Sequence, residues 1–244
     1  MRANYKLQRL FVRGDLSADV ATALDETQAH YLLTVLRKDQ GAEVLAFNGR
    51  DGEWLCQLNR DGKKRAALIP QRQSRRQPEA SGLRFLFAPL KVGRLDYMVE
   101  KATEMGAGTI EPVITEFTQN RNVSVEKLSR WALEAAEQCG VLAVPEIASP
   151  KSLEATLESW DVRIPLVFCD EDSAFDNPLT ALSSLKRGHT AILVGPEGGF
   201  SDKERTMLRG LPFVTPIPLG PRILRADTAA IAALTLVQAT IGDW

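Results

Sequence analysis

The hydrophobic pattern of the chain changes character near residue 80. Before it, short apolar segments alternate with turn residues. Leu7–Val12, Glu43–Phe47, Glu53–Leu58 and Arg65–Ile69 read as strands, and Asn48-Gly49-Arg50-Asp51-Gly52 and Asn59-Arg60-Asp61-Gly62 supply hairpin turns. A helix over Gln28–Arg37 interrupts them, with Leu32, Leu33, Val35 and Leu36 as its apolar face. The pattern predicts a small β-barrel with one helix.

After residue 80 strands and helices alternate. Leu83–Pro89, Thr109–Thr115, Leu166–Cys169 and Thr190–Val194 are apolar enough for strands buried on both faces. Arg94–Met105, ended by Gly106, and Val125–Gln138 have helical periodicity, and Thr228–Thr240 is a long alanine-rich helix. Such alternation predicts an α/β domain with a mostly parallel, doubly covered sheet. Pro70 to Gly82 is polar, proline-bracketed and aperiodic, and reads as a linker.

Composition narrows the function classes. The 244 residues are 44% hydrophobic, carry a net charge of −1 and contain no apolar run of membrane-spanning length. The N-terminus has charge without a signal-peptide core, so a soluble cytoplasmic protein is expected. Cys56, Cys139 and Cys169 form no C-x-x-C, and with only two histidines neither a metal site nor a disulfide framework is expected. His30, at a helix start, reads as a cap or packing residue. Charge is unevenly divided: residues 1–80 hold 14 Lys+Arg against 10 Asp+Glu, and residues 81–244 hold 16 against 21. The first part is therefore the basic one and the candidate for nucleic acid. Arg72, Arg75 and Arg76 extend that charge into the linker.

Two glycine-bearing loops carry the candidate chemistry. Gly195-Pro196-Glu197-Gly198-Gly199-Phe200-Ser201 follows an apolar strand, and Ser201 to Glu204 forms the S-x-x-E capping box of the next helix. Leu219-Gly220-Pro221-Arg222-Ile223-Leu224-Arg225 precedes the last helix, where Asp227 reads as the N-cap. Glycine lets backbone approach a ligand, so the two turns can line one crevice at neighbouring strand ends. Ile223 and Leu224 can pack on a flat ring, and arginine offers a planar donor fork. Neither G-x-x-x-x-G-K-[ST] nor G-x-G-x-x-G occurs: Gly106-Ala107-Gly108 begins like the second but has Glu111 at its last glycine.

GPEGGFS followed by LGPRILRADTA resembles the cofactor-binding half of the SPOUT-class RNA methyltransferases, specifically the RsmE type, which methylates N3 of a uridine in 16S ribosomal RNA. Arg9-Leu10-Phe11-Val12, His30 to Arg37, Val99 to Gly106, Glu134 to Gly140 and Val144-Pro145-Glu146-Ile147 extend the similarity over almost the whole chain. The resemblance implies a PUA-like RNA-binding barrel over residues 1–72, a linker over 73–82 and a SPOUT methyltransferase domain with a deep trefoil knot over 83–244. It implies a homodimer acting on 16S rRNA or the small ribosomal subunit with S-adenosylmethionine. Val194, Gly195, Gly199, Leu219, Gly220, Ile223 and Leu224 are the expected cofactor contacts. Arg225 is expected to steer the uracil edge, with Glu197 or Asp227 as base, and Arg9, Arg37 and Lys38 to hold the RNA backbone. Phe117 and Val141 stand where the family commonly has arginine. The alternatives are a related methyltransferase acting on another rRNA base or a ribose 2′-hydroxyl, and a non-catalytic RNA-binding module.

Overall fold

A computed structural model describes residues 6–62, 64–90, 93–171 and 177–244. It divides into two compact units: residues 1–79 with 136–144, and residues 80–135 with 145–244.

The first unit is built on a five-stranded sheet. Arg9–Phe11 runs parallel to Glu43–Phe47, which pairs antiparallel with Glu53–Asp61; that strand pairs with Arg65–Arg75, and Thr22–Ala23 closes the row. Turns with positive φ at Gly49, Gly52 and Gly62 sit at the hairpin positions the sequence predicts. Arg65–Arg75 is twice as long as expected and runs into the segment read as linker. Register shifts beside Glu53 and Leu55 bend its pairing, so polar residues past Pro70 still find strand partners. Inward-facing Val44, Ala46, Cys56, Leu58 and Leu68 pack on Leu32 and Ala29 of the helical segment.

That helical segment departs from its expected form. Asp25 accepts from the Gln28 amide in a capping box, Glu26–His30 is α-helix, and Tyr31–Val35 continues as π-helix. The wider turn shifts the angular positions, leaving Leu32 and Leu33 buried while Val35 becomes 58% exposed. His30 lies exposed in the last turn of the α-helical part.

In the second unit every strand pairing is parallel. The order across the sheet is Val214–Ile217, Leu166–Cys169, Thr190–Val194, Leu83–Phe87, Thr109–Ile114 and Glu146–Ile147, with Lys151–Ser152 on a branch. The helices Leu95–Glu104 and Ala226–Ile241 contribute Met98, Val99, Ala230 and Leu234 to one apolar layer with Phe85, Phe87 and Ile192. Leu86, Phe168 and Leu193, which point to the other face, pack with Leu208 of the helix Asp202–Arg209. Gly106 takes φ +82° just beyond the first of these helices, as its stop signal requires.

Candidate active site

The two glycine loops meet at the carboxyl ends of the strands, although their own strands are not adjacent. Leu166–Cys169 lies between Thr190–Val194 and Val214–Ile217, so the crevice spans three strand ends. A cavity of about 290 Å³ opens there. Its walls include Val194, Gly195, Gly199, Leu219, Gly220, Ile223 and Leu224, together with Glu197 and Arg222. The intervening strand adds Cys169, Asp170 and Glu171, which the sequence reading did not single out. The available signal was an apolar strand ending in Asp170-Glu171, because open parallel sheets place ligands at strand carboxyl ends.

Three glycines are required by geometry. A Cβ on Gly195 would stand 2.6 Å from the Phe200 ring, so any side chain there displaces a ring that itself packs edge-on against Phe168. Gly199 takes φ +68°, and a Cβ on it would come within 3.2 Å of Glu171 Oε1. Gly220 takes φ +96° with open space around it, so only its backbone conformation calls for glycine. Ser201 accepts from the Glu204 amide, and Glu204 accepts from the Ser201 amide, which fixes the exit of the first loop.

Charge is arranged on one wall. Asp170 is 1% exposed and accepts from Arg205 Nη1 at 3.0 Å and from Arg209 Nε at 2.8 Å. Arg205 also pairs with Glu171. Burial, with Asp170 beside it, pushes the Cys169 thiol up to about 12, so it stays protonated at neutral pH. Glu197 is exposed, and among the described residues it has no ion-pair or hydrogen-bond partner. The backbone amides of Leu219, Ile223 and Leu224 likewise donate to nothing among the described residues.

The other expected site residues are placed differently. Ile223 lines the cavity while fully exposed, and Leu224 lines it half-buried. Arg225 is exposed and does not line the cavity, whereas Arg222 does. Arg225 takes the helix N-cap position with extended backbone and makes no side-chain cap bond. Asp227 is therefore inside the first turn rather than at the N-cap, where its charge complements the helix dipole. Its Oδ2 accepts from Arg94 Nη1 at 2.6 Å. Its carboxylate is thus ion-paired, whereas that of Glu197 has no such partner among the described residues.

The basic residues of the first unit also separate. Arg9 is 4% exposed and donates from Nε to Glu53 at 2.7 Å and from Nη1 to the Glu137 carbonyl at 3.1 Å. Arg75 donates to Glu53 and to the Gly140 carbonyl. Arg9 was expected to hold the RNA backbone and Arg75 to lie in the linker, because charge suggests surface; here one buried carboxylate takes both. Arg37 is exposed at φ 51° just past the π-helical turn, and Lys38 follows half-buried. Among the described residues no group of three or more His, Cys, Asp or Glu is placed to hold a metal.

Comparison with known proteins bears on both units. A family model described as RNA methyltransferase domain matches residues 77–238, and one described as RNA methyltransferase PUA domain matches residues 24–71. Ribosomal RNA small subunit methyltransferase E of Rickettsia conorii is 32% identical over 235 residues, covering 96% of each chain. The Bacillus subtilis protein of that name is 28% identical and covers 86% of this chain and 87% of its own. A putative methyltransferase from Legionella pneumophila, solved with bound cofactor SAM, is 28% identical with a TM-score of 0.80, over 96% of this chain and 98% of its own.

Proposed function

Because the chain belongs to the ribosomal RNA small subunit methyltransferase E family, we propose that it transfers a methyl group from S-adenosylmethionine to N3 of a uridine in 16S ribosomal RNA. The observation that carries this reading is the single cavity into which both glycine loops and the Leu166–Cys169 strand end converge. Its residues fit the cofactor. Leu219 and Leu224 offer apolar surface for a flat ring, and three unpartnered backbone amides can bond a ring edge. The carboxylate of Glu197, which pairs with no cation among the described residues, suits a cationic ligand.

When bound, the cofactor supplies an electrophilic methyl on a positively charged sulfur. The chain's work is then to orient the base and remove its N3 proton. Orientation can supply about 7–11 kcal/mol of a barrier, and a positioned base typically about 10²–10⁴-fold. Glu197 is the stronger candidate base, since it is unpaired on the cavity wall while Asp227 is held by Arg94. Arg225, exposed at the start of the last helix, steers the uracil edge and stabilises the charge left on N3; Arg222 assists from the wall. Exposed Arg37 and neighbouring Lys38 hold RNA phosphates.

The reading includes a homodimer, a cytoplasmic location, a knotted passage of the chain through the second unit, and the domain division 1–72, 73–82 and 83–244. Among the described residues no helix is long and apolar enough to cross a membrane. Small subunits from a strain lacking the gene test the activity. Incubation with the protein and S-adenosylmethionine is expected to add one methyl, mapped by mass spectrometry to N3 of one uridine. A methyl on another base or on a ribose oxygen overturns the N3 assignment, and absence of both methylation and cofactor binding overturns the enzyme reading. Arg225→Ala is expected to fail to restore the modification, and full restoration removes the role given to Arg225.

A further inference from the structure

Phe117 stands beside the cavity and is 44% exposed. A single exposed aromatic is ordinary on a protein surface. This one is carried on a turn that lies against the Gly195–Ser201 loop. A Cβ built on Gly198 would lie 3.3 Å from the Phe117 Cβ, so the ring stands over the loop residue next to Glu197.

The turn that carries Phe117 is held from several sides. The Thr115 amide donates to Thr118 Oγ1 at 2.9 Å, and the two buried hydroxyls lie 2.8 Å apart. Arg121 Nη2 donates to the carbonyls of Thr115 and Glu116 at 3.3 and 3.1 Å. Most tellingly, Glu204 accepts from the Glu116 amide at 2.8 Å through Oε1 and from the Ser201 amide at 2.9 Å through Oε2. One buried carboxylate thus ties the Phe117 turn and the end of the glycine loop together, so the backbone that carries the ring is held in place.

We infer that Phe117 is the stacking platform for the target nucleobase. The inference rests on the proposed function and deepens it: the substrate base enters unpaired and splayed from its neighbours, with one face on the Phe117 ring and its edge towards Glu197. A nucleobase presents a π-face and, at its edge, donors and acceptors, which is the pair of features that an exposed ring and a free carboxylate on neighbouring loops would recognise. A methyl acceptor buried in a helix could not reach the cavity, so an unpaired base with a platform is also what the chemistry needs.

The test uses the full-length protein with a single-stranded RNA oligonucleotide carrying the target uridine, in the presence of S-adenosylhomocysteine. Phe117→Ala is expected to weaken binding of the oligonucleotide about tenfold or more, and Phe117→Trp and Phe117→Tyr to restore it, while cofactor affinity stays within about twofold. In turnover, the loss is expected in KM for RNA more than in kcat. Unchanged RNA affinity in Phe117→Ala overturns the inference. So does failure of both aromatic variants to restore binding, or a changed oligomeric state of the alanine variant by sedimentation, which places the ring in a subunit contact instead. Wild-type protein that binds the oligonucleotide through Phe117 yet methylates no RNA contradicts the proposed function and leaves the stacking platform standing.

Discussion

In the first unit Glu53 lies between Arg9 and Arg75; in the second Asp170 lies between Arg205 and Arg209. Both carboxylates are almost wholly buried, and both are flanked by two guanidinium groups. The surroundings decide what each cluster does. Around Glu53 the arginine side chains are 3% and 18% exposed and also donate to the carbonyls of Glu137 and Gly140, so the cluster binds strands Arg9–Phe11 and Glu53–Asp61 to residues 136–144 of the same unit. Around Asp170 they are 12% and 41% exposed, and the carboxylate itself forms part of the cavity wall. The same ionic arrangement is structural where it is sealed and lines a cavity where the sheet ends.

The comparison breaks hardest at Glu53. Glu53→Ala removes the buried carboxylate that both Arg9 and Arg75 pair with, which costs about 3–5 kcal/mol. Urea unfolding should show that loss, with cofactor affinity of the folded fraction unchanged. Asp170→Ala is expected to cost less, about 1–3 kcal/mol, because Arg209 can turn to solvent. It should also weaken cofactor binding about tenfold, as read by calorimetry. Equal effects of the two substitutions on the cofactor would remove the distinction drawn between the clusters.

Acid sharpens the comparison further. Burial alone would raise the Glu53 pKa, but hydrogen bonds from Arg75, Arg9 and Ser74 outweigh it and hold the carboxyl below its ordinary value. A depressed folded-state pKa contributes stability above the unfolded value of about 4.3, and that stability is lost as pH falls through the folded value. Unfolding free energy measured from pH 6 downwards should therefore fall less steeply in Glu53→Gln than in the wild type. The smallest effects are expected at the surface. Arg37→Ala and Lys38→Ala should each lower the salt slope of RNA binding by about one and leave stability within about 0.5 kcal/mol. Arg9→Ala, in contrast, should show its effect in unfolding.

Much of this was legible in the sequence, for identifiable reasons. Glu43–Phe47, Leu166–Cys169 and Thr190–Val194 lie where the apolar pattern places them, because turn residues or chain polarity end each one sharply. The Ser201 capping box forms as its spacing predicts. The π-helical turn at Tyr31–Val35 was hidden, since five residues carry too little periodicity to separate 3.6 from a wider turn. Two-residue strands such as Thr22–Ala23 and Glu146–Ile147 have no pattern of their own and depend on their neighbours. Arg9 and Asp227 were misplaced for one reason: a sequence displays a charge but not its partner, and Glu53 and Arg94 lie 44 and 133 residues away. The part of Leu166–Cys169 in the cavity was missed because the strand order that inserts it between the loops is a long-range fact.

The central claim is that both glycine loops form one S-adenosylmethionine pocket, and Gly195 tests it most directly. Gly195→Ala puts a methyl group 2.6 Å from the Phe200 ring at the base of that pocket. Calorimetric titration with S-adenosylmethionine is predicted to show affinity reduced about tenfold or more in a variant that still unfolds cooperatively. Wild-type affinity in that folded variant would contradict the account.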